Sequence, residues 1–259
     1  MAGHDLSSQN TSRALERGRQ LVRTAERVVV LTGAGISTDS GIPDFRGPQG
    51  IWTLNPKAER MFDIRHYIAD PDVRRLSWQS RVAHPAWTAE PNPGHLALAH
   101  FERGGRLHAL VTQNIDGLHQ RAGNSADRVI EVHGTLHLAM CLDCGIRLPM
   151  TLVLERVRAG EEDPPCAVCG GILKSDTISF GQPLVAHVIE RAMRAAAEAD
   201  CLIAIGTSLQ VYPIAAAVPA AKASGSALVI VNAQPTPFDD VADETIPGSI
   251  SDVLPQLLC

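Results

Sequence analysis

Apolar residues in this chain come as short solid runs separated by segments of helical spacing. RVVVLT (27–32), HALVT (108–112), RVIEV (128–132), CLIAI (201–205) and ALVIV (227–231) are β-branched or aliphatic nearly throughout, as strands covered on both faces must be. Residues 12–25 and 184–199 carry apolar positions at helical intervals. Strands alternating with helices predict an α/β fold on a parallel sheet. TISF (177–180) is expected as one more short strand. Residues 48–92 break the alternation with PQGIW, an Arg-rich stretch (65–82) and HPAWTAEPNPGH, and are expected to form a helical insertion or lid. The polar residues 1–11 are expected to be a disordered N-terminus.

The strand ends are more informative than the strands. The five runs stop at Gly33-Ala34-Gly35, Gln113-Asn114-Ile115-Asp116, His133-Gly134, Gly206-Thr207-Ser208 and Asn232-Ala233-Gln234. Carboxyl ends of parallel strands share one edge, where ligands of open sheets bind, so these groups are expected to meet in one crevice. A strand running into Gly-x-Gly suits the approach of a diphosphate. The dehydrogenase fingerprint is incomplete, because Thr38 stands where its third glycine would be and no suitable acidic residue follows about 20 positions on. No G-x4-G-K-[ST] motif is present, which excludes P-loop phosphate chemistry. A charged and aromatic cluster on a Gly-flanked segment, Gly41-Ile42-Pro43-Asp44-Phe45-Arg46-Gly47, points to a ligand.

Charge and cysteines narrow the class. A formal charge of −5 over 259 residues argues against non-specific nucleic-acid binding, which needs clustered Lys and Arg. The apolar runs are too short to span a bilayer, and the N-terminus has no apolar core of a secretory signal, so the cytoplasm is the expected compartment. Cys141, Cys144, Cys166 and Cys169 form two C-x2-C pairs separated by 21 residues. That spacing predicts a four-thiolate zinc site with no open position, hence structural, within an insertion over about 138–174. The disulfide alternative is disfavoured in a reducing compartment. The segment's Arg147, Arg156, Arg158 and Lys174 face Asp143, Glu155, Glu161, Glu162 and Asp163, a poor phosphate surface. EEDPP (161–165) is expected at a loop tip and Cys201 in a buried strand. Nothing in the sequence sets an oligomeric state.

GAGISTDSGIPDFRG, TQNIDGLHQRAG, EVHG, the paired cysteines, FG, GTSLQVYP and NAQP occur in this order over about residues 27–258. In that order the chain resembles the sirtuins, NAD-dependent protein deacylases, and is similar to their bacterial and mitochondrial-like branch. The resemblance implies one catalytic domain over 12–259. Rossmann-like parts would cover about 12–47, 93–137 and 175–259, a helical module 48–92 and a zinc module 138–174. It implies that Gly33, Ala34, Gly35 and Ser37 receive the NAD phosphates, with Asp44, Phe45 and Arg46 in a flexible cofactor loop. Gln113, Asn114 and Asp116 would hold ribose and nicotinamide, with Asn114 and Asp116 acting alongside His133 in catalysis. Gly206, Thr207 and Ser208 would meet phosphate and ribose, Asn232, Ala233 and Gln234 the adenosine ribose, and Ile250 the adenine.

His133 would be the general base, with His137 as its rival by position. An imidazole titrates near neutrality, which suits proton exchange with a ribose hydroxyl. The implied reaction is attack of an acyl-lysine carbonyl on the ribose C1′ as nicotinamide leaves. The resulting alkylimidate then yields O-acyl-ADP-ribose and free lysine. The acyl peptide would lie as a strand between Phe180-Gly181 and Val211. Trp78 and Arg81 would be the counterparts of an acyl-pocket Tyr-x-x-Arg pair, so uncharged acyl groups are expected to be preferred over succinyl. The chain departs from the family's pattern at Ser175, Gln182 and Gln234, which puts peptide affinity and ribose grip in question. Two other readings stay open: mono-ADP-ribosyl transfer, and a non-catalytic NAD- or zinc-binding protein.

Overall fold

All five aliphatic runs are strands of one parallel sheet. The computed structural model describes residues 3–47, 50–54 and 60–259. Its first half runs α1 (Gly3–Thr24), β1 (Val28–Thr32), α2 (Ile51–Leu54), α3 (Ile64–Ala69), α4 (Pro71–Val82), α5 (Pro93–Arg103), β2 (Leu107–Thr112), α6 (Leu118–Ala122) and β3 (Val129–Glu131). The second half runs β4 (Gly134–Cys141), β5 (Arg147–Pro149), α7 (Met150–Arg158), β6 (Leu173–Thr177), α8 (Ala186–Glu198), β7 (Cys201–Ile205), α9 (Ala217–Ala223), β8 (Ala227–Val231), β9 (Glu244–Ile246) and α10 (Ile250–Leu257). The main sheet has the order β3-β2-β1-β7-β8-β9, and a smaller antiparallel sheet the order β5-β4-β6.

Alternation along each strand divides the core into two layers. Val28 and Val30 of β1 pack with Leu110, Ile203 and Val229 beneath α1, α5 and α10. Val29 and Leu31 point the other way, with Val111, Leu202 and Ile230, onto Ala192 and Ala196 of α8 and Val218 and Ala221 of α9. Each face of β1 is thus covered, which explains a run with no polar residue before Thr32. Chain direction across the sheet reverses between β1 and β7, the position at which doubly wound sheets open a crevice.

Several expectations are corrected. Helix α1 begins at Gly3, not at residue 12, because extending an existing helix adds one hydrogen bond per residue without a new nucleus. The Arg-rich stretch 65–82 is two helices. Asp70 ends α3 and caps α4, accepting from Asp72 N at 2.9 Å, and Pro71 occupies the first helical position. The strand expected at 177–180 lies earlier, as β6, and belongs to the small sheet. Beyond it Ile178 N donates to the His133 carbonyl at 2.8 Å, and Phe180 pairs with Asp63 as an isolated bridge outside any strand. Residues 48–49 and 55–59 of the expected lid fall outside the described residues. β9 was not foreseen, being three residues long. No helix among the described residues is long and apolar enough to cross a membrane.

The small sheet packs with α7 around Ala139, Cys141, Met150, Leu154 and Leu173, and Trp78 of α4 completes this core. Ion pairs from Arg74 to Asp163 (2.8 Å) and Arg75 to Glu162 (3.5 Å) tie α4 to the acidic loop after α7.

Candidate active site

The carboxyl ends of the main strands and the inner edges of the two insertions enclose one cleft of about 1120 Å³, above the ~300–1,000 Å³ of ordinary small-molecule pockets. At its centre the loops after β1 and β7 cross in contact. Gly33 N and Gly35 N donate to the carbonyls of Ile205 and Gly206 at 3.0 and 2.9 Å. A Cβ on Gly35 would stand 2.8 Å from Gly206 Cα, and Gly206 itself has φ +58°. Only glycine permits this approach. With Ala34, Thr207 and Ser208, it leaves a floor of backbone and small side chains on the cleft.

Beside this floor lies a buried polar cluster. Ser37 Oγ donates to Asp116 Oδ2 at 2.8 Å, and Asn114 Nδ2 reaches both Ser37 Oγ and the Gly33 carbonyl at 3.1 Å. Asp116 Oδ1 accepts from Leu118 N at 2.9 Å. Gln113 Nε2 donates to Thr207 Oγ1 at 2.9 Å, joining the ends of β2 and β7. Asp44 Oδ1 accepts from Gly47 N at 2.9 Å, closing a turn that presents Phe45 and Arg46 to the cleft. The Phe45 ring meets Phe62 edge-on at 5.8 Å.

His133 stands across from this cluster. Its Nδ1 lies 3.1 Å from the Gln113 carbonyl, which can only accept, so Nδ1 carries the proton and Nε2 a lone pair. Burial lowers its pKa, against the upward pull of the Gln113 bond. The ring is therefore a neutral base at physiological pH. His137, the rival, spends Nε2 on the Asp116 carbonyl at 2.9 Å and packs edge-on against Trp87 at 5.6 Å. It holds the loop and does not face the cleft.

Asn232, Ala233, Gln234 and Ile250 also line the cleft, with Asn232 Nδ2 donating to the Gln234 carbonyl at 2.8 Å. Phe180, Gly181 and Val211 form the opposite lip. Gln182 accepts from Ser179 N at 2.9 Å and donates its own N–H to the Ser179 carbonyl at 3.0 Å, so an uncharged side chain suffices for this turn.

The acyl-pocket expectation is half corrected. Trp78 is 1% exposed and faces the small-sheet core, drawn there by apolar area that a cleft wall would leave wet. Arg81, one turn on, does line the cleft, with its Nε lacking a partner. Two neighbours escaped the sequence reading. Tyr67 donates its hydroxyl to the Leu173 carbonyl at 2.7 Å. Lys174, 2% exposed, donates to the carbonyls of Ser175 (2.9 Å) and Thr177, and burial with repulsion from Arg81 brings its pKa down to about 8. The inner wall is thus cationic.

The cysteines converge as the spacing requires. Their four Sγ atoms lie within 4.8 Å of one another, with Cys141–Cys169 at 3.5 Å and Cys144–Cys166 at 3.8 Å. The Cys144 and Asp143 backbone N–H groups help hold the Cys141 thiol at about 7. Cys169 is raised to about 12 although the Gly171 N–H pulls it down, because the neighbouring sulfurs crowd it. A divalent cation resolves that conflict, and four thiolates at these separations fit tetrahedral zinc.

Behind the cleft, His95 and His119 are 0% and 1% exposed. Burial lowers His95 to about 4 and His119 well below its ordinary value. Their folded pKa values lie below those of the unfolded chain, which therefore binds more protons between about pH 6.5 and 4. Stability should fall with pH in that window, by up to ~1.4 kcal/mol per pH unit for each histidine. Urea midpoints at pH 7.5, 6 and 5 measure this; a midpoint unchanged down to pH 5 would contradict the buried neutral rings.

Fold and site together define a nucleotide-handling α/β protein with a structural metal module beside its cleft. The Sir2 family model matches residues 33–213. The chain is 49% identical over 231 residues to NAD-dependent protein deacetylase 2 of Streptomyces coelicolor, covering 89% of this chain and 96% of that one. It is 43% identical to NAD-dependent protein deacetylase 1 of Pyrobaculum aerophilum, covering 96% and 95%. Among solved structures it resembles a Sir2 enzyme described for mechanism and regulation (TM-score 0.86, 37% identity, 95% and 96% covered). It also resembles a Sir2–p53 peptide–NAD+ complex (TM-score 0.82, 34% identity, 92% and 95% covered). The chain belongs to the Sir2 family.

Proposed function

We propose that this protein is an NAD-dependent protein lysine deacylase that releases nicotinamide, O-acyl-ADP-ribose and free lysine. The observation that carries the reading is His133, its Nδ1 committed to the Gln113 carbonyl and its Nε2 left with a lone pair, in one cleft with the Ser37–Asn114–Asp116 cluster and the Gly33–Gly35 floor. NAD supplies an electrophilic ribose carbon and nicotinamide as leaving group. Gln113, Asn114 and Asp116 offer the donors and acceptors that ribose and a carboxamide need, and Ser37 joins the Gly33–Gly35 floor that receives the phosphates. Phe45 covers the sugar and excludes water, and Arg46 pairs with the diphosphate. His133 Nε2 takes the proton of the ribose 2′-hydroxyl during acyl transfer. Asn232, Gln234 and Ile250 hold the adenosine end. The acyl peptide adds as a strand between Gly181 and Val211. Zinc on Cys141, Cys144, Cys166 and Cys169 supplies folding free energy, not chemistry. Thiols that must stay reduced suit the cytoplasm. Incubation with NAD and an acetyl-lysine peptide should release nicotinamide and O-acetyl-ADP-ribose in step. Nicotinamide release that ignores the acyl group would favour ADP-ribosyl transfer, and NAD binding without any release a non-catalytic protein.

Trp78 lies in the small-sheet core and not in the cleft, so the expected preference for uncharged acyl groups does not follow from it. Arg81 remains as a donor at the inner wall. A terminal acyl carboxylate paired with it would gain about 1.5–3 kcal/mol, so Arg81→Met should lower kcat/KM for a succinyl peptide roughly 10- to 150-fold and change acetyl turnover far less. Equal losses on both peptides would remove Arg81 from acyl recognition.

A further inference from the structure

His95 on α5 and His119 on α6 are buried with their rings 5.0 Å apart and their planes at 59°. Each has one ring nitrogen committed and one without a partner. Thr32 Oγ1 donates to Thr112 Oγ1 at 2.8 Å, so its only proton is spent. His119 Nε2, 3.0 Å from Thr32 Oγ1, is therefore the donor of that pair, and Nδ1 is left with a lone pair. His95 Nδ1 accepts from Asn92 N at 3.4 Å, so its Nε2 carries the proton. The two atoms left over are His95 Nε2 and His119 Nδ1, one donor and one acceptor on facing rings.

Both ends of this pair run to the cleft. Thr112 Oγ1 accepts from Asn114 N at 3.0 Å, which sets where the Asn114 amide lies. Asn92 Nδ2 donates to the Ile36 carbonyl at 2.7 Å and to Ser40 Oγ at 3.0 Å, fixing the short helix after Gly33. A buried donor and acceptor left unmatched would each cost free energy, whereas joined they form a continuous neutral network.

We infer that His95 and His119 are positioning residues for the NAD end of the site, joined from His95 Nε2–H to His119 Nδ1 through one bridging water, and that they hold Asn114 in register with the loop after β1. This rests on reading the cleft as an NAD site. Neither ring touches substrate. Their action is through Thr32, Thr112 and Asn92, so their loss should appear in NAD affinity and not in peptide affinity.

The test measures NAD binding by calorimetry, alongside KM for NAD and for an acetyl peptide, in His119→Phe, His119→Gln and Thr32→Val. Loss of one buried hydrogen bond predicts NAD affinity weaker by roughly 5- to 150-fold in His119→Phe, with peptide KM within about 2-fold. Gln places an amide N–H near the Nε2 position and should recover most of the loss. If His119→Phe fails to fold, Thr32→Val reads the same link without disturbing the rings. Because calorimetry needs no turnover, a wild type that binds NAD but deacylates nothing would sink the enzyme reading and leave this one standing. Unchanged NAD affinity in a folded His119→Phe or Thr32→Val, or no recovery in His119→Gln, overturns the inference.

Discussion

Replacing His133 with alanine should lower acyl-peptide turnover at least ~100-fold, the lower end for a lost general base, with NAD binding and melting temperature nearly unchanged. The ring makes one fixed bond, to the Gln113 carbonyl, and its truncation leaves that backbone group at a wet cleft, so little stability is at stake. Nothing nearby can substitute. His137 has its Nε2 on the Asp116 carbonyl, and among the described residues no other histidine lines the cleft except His84, whose pKa of about 4, lowered by burial and by Arg81, makes it a poor base. The same geometry fixes a pH effect. Burial places the His133 pKa below its ordinary value, so the acid limb of kcat/KM should lie below about pH 6.5. Near-wild-type turnover in His133→Ala would remove it from the chemistry.

Cys141→Ser should release the metal and unfold the small sheet. Structural zinc binds with apparent free energies of about 10–16 kcal/mol in small domains, comparable to the ~5–15 kcal/mol stability of a whole protein. Cys141 is 1% exposed at the end of β4 and shares its core with Trp78, Met150 and Leu154. Losing the metal therefore removes the packing on which α4 rests, and Arg81 with it. Zinc content should fall to a small fraction of one per chain. Limited trypsin digestion should open the segment at Arg147, Arg156 and Arg158 before the main sheet is cut. A variant that keeps one zinc and the wild-type digestion pattern would disprove the four-thiolate site.

The parts legible in the sequence share a local cause. The apolar runs reveal β1, β2, β3, β7 and β8, because a strand covered on both faces has no polar residue to hide among. The C-x2-C pairs reveal the metal site, because thiolate spacing is set by a tight turn. What stayed illegible depends on distant partners. The break at Asp70-Pro71 was written in a cap signature but masked by the surrounding arginines. Whether Trp78 faces the cleft or the small sheet is decided by Cys141, Met150 and Leu154, more than 60 residues on. Lys174 enters the sequence reading only as one of the basic residues of the metal segment, yet it is 2% exposed. His95 ends the HPAWTAEPNPGH stretch and His119 falls in the TQNIDGLHQRAG motif, neither of which marks them out, and only their 5.0 Å approach gives them a role.

The junction at His133 also sets how this molecule can be recombined. Gly134, at φ +74°, begins β4 immediately after His133, and a Cβ there would stand 2.1 Å from the Asp176 carbonyl. The His133 carbonyl in turn receives Ile178 N. His133 is thus stitched to both ends of the metal-bearing excursion, and a graft of that excursion from a relative would have its natural seams inside residues 135–175. Cuts placed there would exchange the surface offered to substrate proteins while leaving the stitches, and so the aim of the imidazole, as inherited.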